Sequence, residues 1–581
     1  MNRRAREFDN HNLAPVSLPV MERRLNFTDP NHQGQPMSTV TGADIIATKL
    51  HKAGCRHAFG IPGGEVLALM GALDEAGIAF HLTKHENAAG FMAEGAWHAQ
   101  ANHTPDAPSA PGILLATLGP GVANAINVVA NAMQDRVPLI FLTGCVDAHE
   151  AETYTHQIFD HQAVLRPITK ASFRASAGTL GVMMDKALAI ALDGQPGPVH
   201  IDVPISVAEN TTSETHAPPP APTAPVMSCP GDELARAISW LSDAERPLVI
   251  AGVDAVNEGA GPALQEFCTR NHVPLITSYK SKGLIDENHP LCLGGHGLSP
   301  RADKILMPLI ERADCIILAG YDPIEMRTGW RNIWGEETKI IEITPVLRDH
   351  GMHRVDVTLR GNVETGLQQL GHALQDTARW VEGEPQKTRS ELDDAFSTHN
   401  QWGPGQVFST LNQCLPDDAV ITVDSGAHRI LLSQMWRAKH PRRILQSTAL
   451  CTMGCALPLA NGYKLASPDT PVCAFMGDAG LEMTLGELAT LRDMKQPVIV
   501  CVLVDESLAL IELKQRNTQR KNVGVDFDAT DFVALAKAMG GDAHWISDAD
   551  TLARCAQQAL NQPTFTLLAC KIDRRAYDGT F

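Results

Sequence analysis

The chain has 581 residues, of which 44% are hydrophobic and 20% charged, and its formal net charge is −18. At roughly 150 residues per domain it is too long for one core and calls for three or four domains. The acidic balance excludes nucleic acid as the main partner, because a phosphate backbone is gripped by clustered Lys and Arg; no apolar run approaches the roughly 20 residues of a membrane span. Thirteen cysteines stand singly with no CxxC pair, which fits buried thiols in a reducing cytoplasm better than zinc or disulfides.

Residues 1–37 mix Arg3, Arg4, Arg6, Arg23 and Arg24 with acids and prolines and have no apolar h-region, so a disordered extension is expected rather than a secretory signal. Met37 then leads into Thr41, which is placed to cap a first helix. From residue 38 to 210, apolar runs at Ala79–Lys84, Ile113–Ala116, Pro138–Thr143 and Val199–Val203 alternate with helical patterns, the sign of βαβ units and a parallel sheet. A Pro-rich stretch at 211–230 (HAPPPAPTAP at its centre) reads as a linker. A second block at 231–374 carries Pro247–Gly252, Cys315–Gly320 and Lys339–Thr344 as buried strands, and a polar linker is expected at 375–400. The third block, 401–581, carries Ala419–Asp424, Pro471–Met476, Pro497–Val504 and Thr564–Cys570. Runs apolar on both faces belong to central parallel strands covered by helices. The fold class is therefore α/β, with three doubly wound parallel-sheet domains, and the first and third blocks look alike in length and strand spacing.

The chemistry concentrates in Phe475–Gln515. A strand ends at Met476, turns through Gly477, Asp478, Ala479 and Gly480, and enters a helix with Leu481, Leu485, Leu488, Leu491 and Met494 on one side. Small residues let main chain approach a ligand, and free N–H groups at a helix start favour an anion. Asp505 emerges where the next strand ends, the edge at which open α/β sheets bind ligands. Two carboxylates beside an anion site suit Mg²⁺, although a plain capping Asp would give the same local pattern.

This segment resembles the GDG…N signature of thiamine-diphosphate enzymes, and its wording is similar to the acetolactate synthase branch, specifically the large, catalytic subunit. GIPGGEV (Gly60–Val66), KHENAAGFMAEG (Lys84–Gly95), LGPG (Leu118–Gly121), RPITK (Arg166–Lys170), GPVHIDVP (Gly197–Pro204), VDSGAH (Val423–His428) and TMGCALPLANG (Thr452–Gly462) follow that family's order. The resemblance implies thiamine diphosphate and Mg²⁺ as cofactors, with Asp478, Asp505 and the Ser507 carbonyl on the metal. Ala479 stands where the family has its second Gly, and Asp505 where Asn is commoner. Glu86 would be the catalytic acid–base group on N1′ of the cofactor's aminopyrimidine, a role that a helix-dipole acid could also explain. Met453 would wedge the cofactor into its bent form, and Gly60, Pro62, Gly119, Gly121, His428, Cys451, Gly477 and Gly480 would line it. Gln157, Lys170 and Arg327 are candidate substrate residues. Lys514 either lies solvated on its helix or points inward to pair with an anionic acceptor. The resemblance further implies a homodimer or homotetramer with sites at the dimer interface. It implies a 2-oxo acid substrate, with pyruvate carboligation leading and decarboxylase, aldehyde lyase or acetyl transfer as alternatives; a non-catalytic scaffold is disfavoured by the intact Glu86, Asp478 and Asp505. Because GYDPIEMRTGW (Gly320–Trp330) keeps only the end of the family's FAD motif, FAD is not expected.

Overall fold

The computed structural model describes residues 40–103, 109–213, 226–228, 230–347, 350–371, 379–397 and 401–581. The expected N-terminal extension lies outside the described residues, as do 214–225 and 229 of the Pro-rich stretch and 375–378 and 398–400 of the polar one. Thr41 does cap the first helix, Gly42–Lys52: its hydroxyl accepts from the Asp44 N–H while the Asp44 carboxylate accepts from the Thr41 N–H.

Three all-parallel sheets of six strands follow. The first holds β1 (His57–Ile61), β2 (Ala79–Leu82), β3 (Gly112–Ala116), β4 (Leu139–Cys145), β5 (Ala171–Arg174) and β6 (Pro198–Pro204). The central sheet holds β7 (Pro247–Ala251), β8 (Leu275–Thr277), β9 (Cys292–Gly295), β10 (Cys315–Ala319), β11 (Lys339–Thr344) and β12 (Val357–Arg360). The last holds β13 (Val420–Val423), β14 (Ile444–Gln446), β15 (Val472–Gly477), β16 (Ile499–Val504), β17 (Asp542–Ile546) and β18 (Thr566–Lys571). Every residue of β3, β4, β6, β7, β10 and β16 is buried, which is why those strands read as unbroken apolar runs. The first sheet runs β2-β1-β3-β4-β6-β5 and the third β14-β13-β15-β16-β18-β17, the same order element for element.

That equivalence is used directly in packing. The helix after β2 (Glu86–His103) and its counterpart after β14 (Ala456–Ala466) lie against each other. A methyl group on Gly95 would sit 2.2 Å from the Leu459 carbonyl oxygen, and one on Gly462 would sit 1.9 Å from that of Met92, so only glycine lets the main chains meet. The central domain joins at a buried ionic centre. Lys280 Nζ lies 3.2 Å from Asp135 Oδ2 and 3.7 Å from Glu94 Oε1, and Asp135 also accepts the N–H groups of Thr448 and Ala449 from the third domain. Burial disfavours the Lys280 charge, but Asp135 and then Glu94 outweigh it and raise its pKa above the ordinary lysine value.

Two expectations change. The helix after the Gly477–Gly480 turn is not continuous: it forms Asp478–Glu482 and Gly486–Met494. At the break, Gly486 faces Lys84, where a methyl group would meet Cβ at 3.0 Å, and Glu487 accepts the Lys84 N–H, so the second segment is turned onto the first domain. Residues 375–400 are also more than a linker, because Glu384–Ala395 is a helix that sends Leu392 into the core of the third domain.

Candidate active site

Asp478 and Asp505 stand at the C-terminal ends of β15 and β16, which pair directly. Asp478 opens the short Asp478–Glu482 helix and is buried. Its Oδ1 accepts from Ala479 N–H at 2.8 Å, and its Oδ2 from Asp505 and Glu506 N–H at 3.0 and 2.7 Å. Glu506 takes φ +56° to make that turn, and Ser507 N–H returns to Asp505 Oδ1 at 3.2 Å. Burial raises the Asp478 carboxyl despite these donors; burial and then the charge of Asp478 push Asp505 up to about 8. Glu482 adds to the rise at Asp478 and Arg574 only partly offsets the rise at Asp505, and the oxygen donors of the pair suit a hard divalent cation.

The surrounding turn is built for close approach. A methyl group on Gly480 would come 2.0 Å from Asp424 Oδ2, whereas Ala479 is half-exposed, which is why its methyl is accommodated where the family pattern has glycine. Buried polar atoms without a protein partner gather in these segments: Asp424 Oδ2, Ser425 Oγ, His428 Nε2 and Ser507 Oγ. His428 lies in the first turn of the Ala427–Met435 helix, with its ring against Gly426 and Gly477. Burial, then the adjacent Arg429 charge, lowers its pKa to about 3, so it is neutral and can donate to an anion without carrying charge. Orphaned donors on Ser425, His428 and Ser507, a Gly480 position with no room for a Cβ and the acid pair together fit a metal-bound diphosphate.

Met453 is half-buried on the loop that meets this turn: a methyl on Gly454 would lie 2.9 Å from Thr484 Cγ2 and 3.7 Å from the Gly480 oxygen. Cys451 is exposed with φ +60°, and Arg429 donates to its sulfur at 3.2 Å.

In the first domain, Glu86 starts its helix after β2 and is 5% exposed. Its Oε2 accepts from Asn124 Nδ2 at 3.0 Å, and a methyl on Gly121 would lie 3.5 Å from Oε1. Gly60, the last residue but one of β1, has no room for a side chain, since a Cβ would lie 1.8 Å from the Leu115 oxygen, and half-buried Pro62 follows the strand. Gly119 turns at φ +62° against the Gln157 oxygen, 2.4 Å from where a Cβ would be. Three residues that the sequence does not single out complete the arrangement. Asp424 is one. Asn124 and Asn127 are the others, on the Pro120–Gln134 helix, where Asn127 Oδ1 accepts the Thr452 hydroxyl at 3.1 Å. Together with buried Asn131, which donates to Glu94 and accepts from Ser447, they form an amide stripe at helical spacing from Glu86 to the Met453 loop.

The candidate substrate residues fare differently. Gln157 has an exposed side chain beside Gly119. Lys170 precedes β5, at the N-terminal edge of the sheet and away from the Glu86 edge, and its ammonium donates to the Asp193 oxygen at 2.6 Å. Arg327 is committed to Asp303, whose carboxylate also takes the Trp330 indole N–H. Lys514 is exposed, while its neighbour Glu512 turns inward and pairs with Arg516.

Sequence comparison agrees with this layout domain by domain. Residues 40–164 match the thiamine pyrophosphate enzyme N-terminal TPP binding domain, 234–370 the central domain and 424–570 the C-terminal TPP binding domain. The chain belongs to the thiamine pyrophosphate enzymes and is an α/β enzyme of that family. Within it, the chain is similar to the acetolactate synthases. It is 27% identical to acetolactate synthase of Bacillus subtilis (92% of this chain, 93% of that protein) and 28% identical to acetolactate synthase isozyme 1 large subunit of Escherichia coli K12 (92% and 94%). It is 28% identical to a probable acetolactate synthase large subunit of Methanocaldococcus jannaschii (90% of each). Among the described residues no helix is long and apolar enough to cross a membrane.

Proposed function

We propose that the chain is a Mg²⁺-dependent carboligase that decarboxylates a 2-oxo acid, with pyruvate as the first candidate, and passes the two-carbon unit to a second carbonyl compound. The observation that carries this reading is the Asp478–Asp505 pair, a buried and a half-buried carboxylate at adjoining strand ends, where burial and the Asp478 charge outweigh the opposing charge of Arg574 and keep Asp505 raised. They and the Ser507 carbonyl would hold Mg²⁺; His428 and the Gly477–Gly480 turn would hold the diphosphate. Met453 and Cys451 would border the thiazolium, and Gly60, Pro62, Gly119 and Gly121 the pyrimidine. When bound, thiamine diphosphate supplies the electron sink that lets the bond between a carbonyl carbon and a carboxylate break. Glu86 would hold a proton at N1′, with Asn124 fixing the orientation of its carboxyl group. The buried walls around Asp478 and His428 exclude water.

On this reading Glu86 serves a metal motif on a neighbouring subunit, so a homodimer is the smallest complete unit, with a tetramer as its extension. FAD is not held tightly: the Arg327 end of the motif at Gly320–Trp330 is already occupied by Asp303. Among the described residues the cysteines are unpaired and mostly buried, which supports a cytoplasmic enzyme.

The test is to incubate the full chain with thiamine diphosphate, Mg²⁺ and a panel of 2-oxo acids, reading CO₂ and coupled product, with a chelator arm. CO₂ with a ligated product, abolished by chelator and restored by Mg²⁺ with cofactor, is expected. CO₂ with free aldehyde would move the reading to a simple decarboxylase, and no turnover of any 2-oxo acid would overturn it.

A further inference from the structure

Behind the Gly119 loop runs a chain of side chains that the proposed chemistry leaves unused. Gly119 N–H donates to His161 Nε2 at 3.2 Å. His161 Nδ1 lies 2.8 Å from Asp202 Oδ1, which also accepts the Thr143 hydroxyl at 2.6 Å. Thr143 Oγ1 is 2.8 Å from His200 Nε2, and His200 Nδ1 is 2.7 Å from Ser172 Oγ. His161, Asp202, Thr143 and His200 are all buried.

Hydrogen-bond accounting fixes the protons. A peptide N–H can only donate, so His161 Nε2 is bare and the ring's one proton sits on Nδ1, given to Asp202. The Thr143 hydroxyl donates to the same carboxylate and accepts from His200 Nε2–H, leaving His200 Nδ1 to accept from Ser172. Burial opposes ionisation of Asp202, but the hydrogen bond from His161 and the nearby His200 ring, with Nε2 at 3.5 Å, outweigh it and hold its carboxyl well below the usual range. The donor atoms of His161, His200 and Asp202 lie within 4.8 Å of one another, close enough for a metal, yet both ring nitrogens of His161 are already engaged.

We infer that neutral His161 is a positioning residue, which holds the Gly119 turn and through it the first turn of the helix whose Gly121 and Asn124 lie against Glu86. Its part in catalysis rests on the function proposed above. A second proton on His161 would have to enter at Nε2 and would set N–H against N–H, so only the neutral ring can make the hold on Gly119. The groups facing the ring are Asp202 and His200 from β6, Thr143 from β4 and the edge-on Phe159 ring at 4.8 Å. Cys145 and Arg174 stand one step further out, next to Asp202 and to each other.

His161→Phe and His161→Gln in the full chain separate the possibilities, because a Gln carbonyl can accept from Gly119 and does not titrate. Expected for His161→Phe is a kcat/KM for the 2-oxo acid lowered by about tenfold, the scale of one buried hydrogen bond, with thiamine diphosphate affinity within about twofold. For His161→Gln, near-parent kcat/KM at neutral pH and a flattened acid limb are expected. Hydrogen–deuterium exchange of the segment around Gly119 is read alongside: the parent loses protection as pH falls and His161→Gln does not. An unchanged His161→Phe, or an acid limb in His161→Gln equal to the parent's, overturns the inference. If His161→Phe does not fold, His161→Gln decides alone. If no 2-oxo acid turns over, the proposed function fails while the exchange measurement still judges the His161 hold.

Discussion

The first and third domains share one strand order and place their functional groups at the same edge of the sheet, yet they do opposite electrostatic jobs. In the first, a lone carboxylic acid, Glu86, is held by the Asn124 amide. In the third, two carboxylates are crowded together at neighbouring strand ends and held by main-chain N–H groups. The fold supplies an address and the loop residues supply the chemistry. On the function proposed above, an amide that orients a carboxyl without fixing its charge suits a group that shares a proton, and a crowded acid pair suits a group that keeps a cation.

The sharpest way to break this comparison is Glu86→Gln. If Glu86 handles a proton, the variant keeps thiamine diphosphate and Mg²⁺, and proton exchange at thiazolium C2, followed by NMR, slows by about 10²–10⁴-fold. Exchange at the parent rate would remove Glu86 from the chemistry. The third domain is tested through its turn. Gly480→Ala places a methyl on Asp424 and should cost about 1–3 kcal/mol, seen as a lower melting temperature and lost cofactor retention, whereas Ala479→Gly should stay within about 1 kcal/mol. Equal effects would mean that the turn is not a close-approach site. The acid pair makes a subtler prediction. With Asp505 pushed up to about 8, Mg²⁺ uptake near pH 7 should release about one proton, and progressively less as pH rises past that value. Calorimetry in two buffers of different ionisation heat reads this number, and zero release at neutral pH would mean the pair is already ionised. The smallest effect belongs to Lys514→Met, where kcat and KM for every acceptor should stay within about twofold because the ammonium is exposed. A raised KM for an anionic acceptor alone would return Lys514 to the pocket.

How legible all this is from sequence depends on how local the cause is. Central strands such as Pro247–Ala251 and Ile499–Val504 are apolar on both faces and can be read off directly. Short or edge strands such as Leu275–Thr277, Ile444–Gln446 and Val357–Arg360 have too few residues to display a period, and tertiary pairing alone defines them. Asp478 and Asp505 sit at strand ends, where position in the chain already implies position in space. Asn124 and Asn127 resemble any polar helix face until Glu86 and Thr452 are seen opposite them. Lys170 shows the converse: its motif is in order, but the strand it precedes begins at the far edge of the sheet.

Lys280 adds something of a different kind. It comes from the central domain, its two acids come from the first, and one of those acids also holds the Thr448–Ala449 main chain of the third. Parting the central domain from the first would separate the Lys280 ammonium from both acids, and lifting the third away would take two main-chain donors from Asp135. The buried ion cluster therefore joins three hydrophobic cores at one point, so that loosening any of them removes a partner from Asp135 or Lys280.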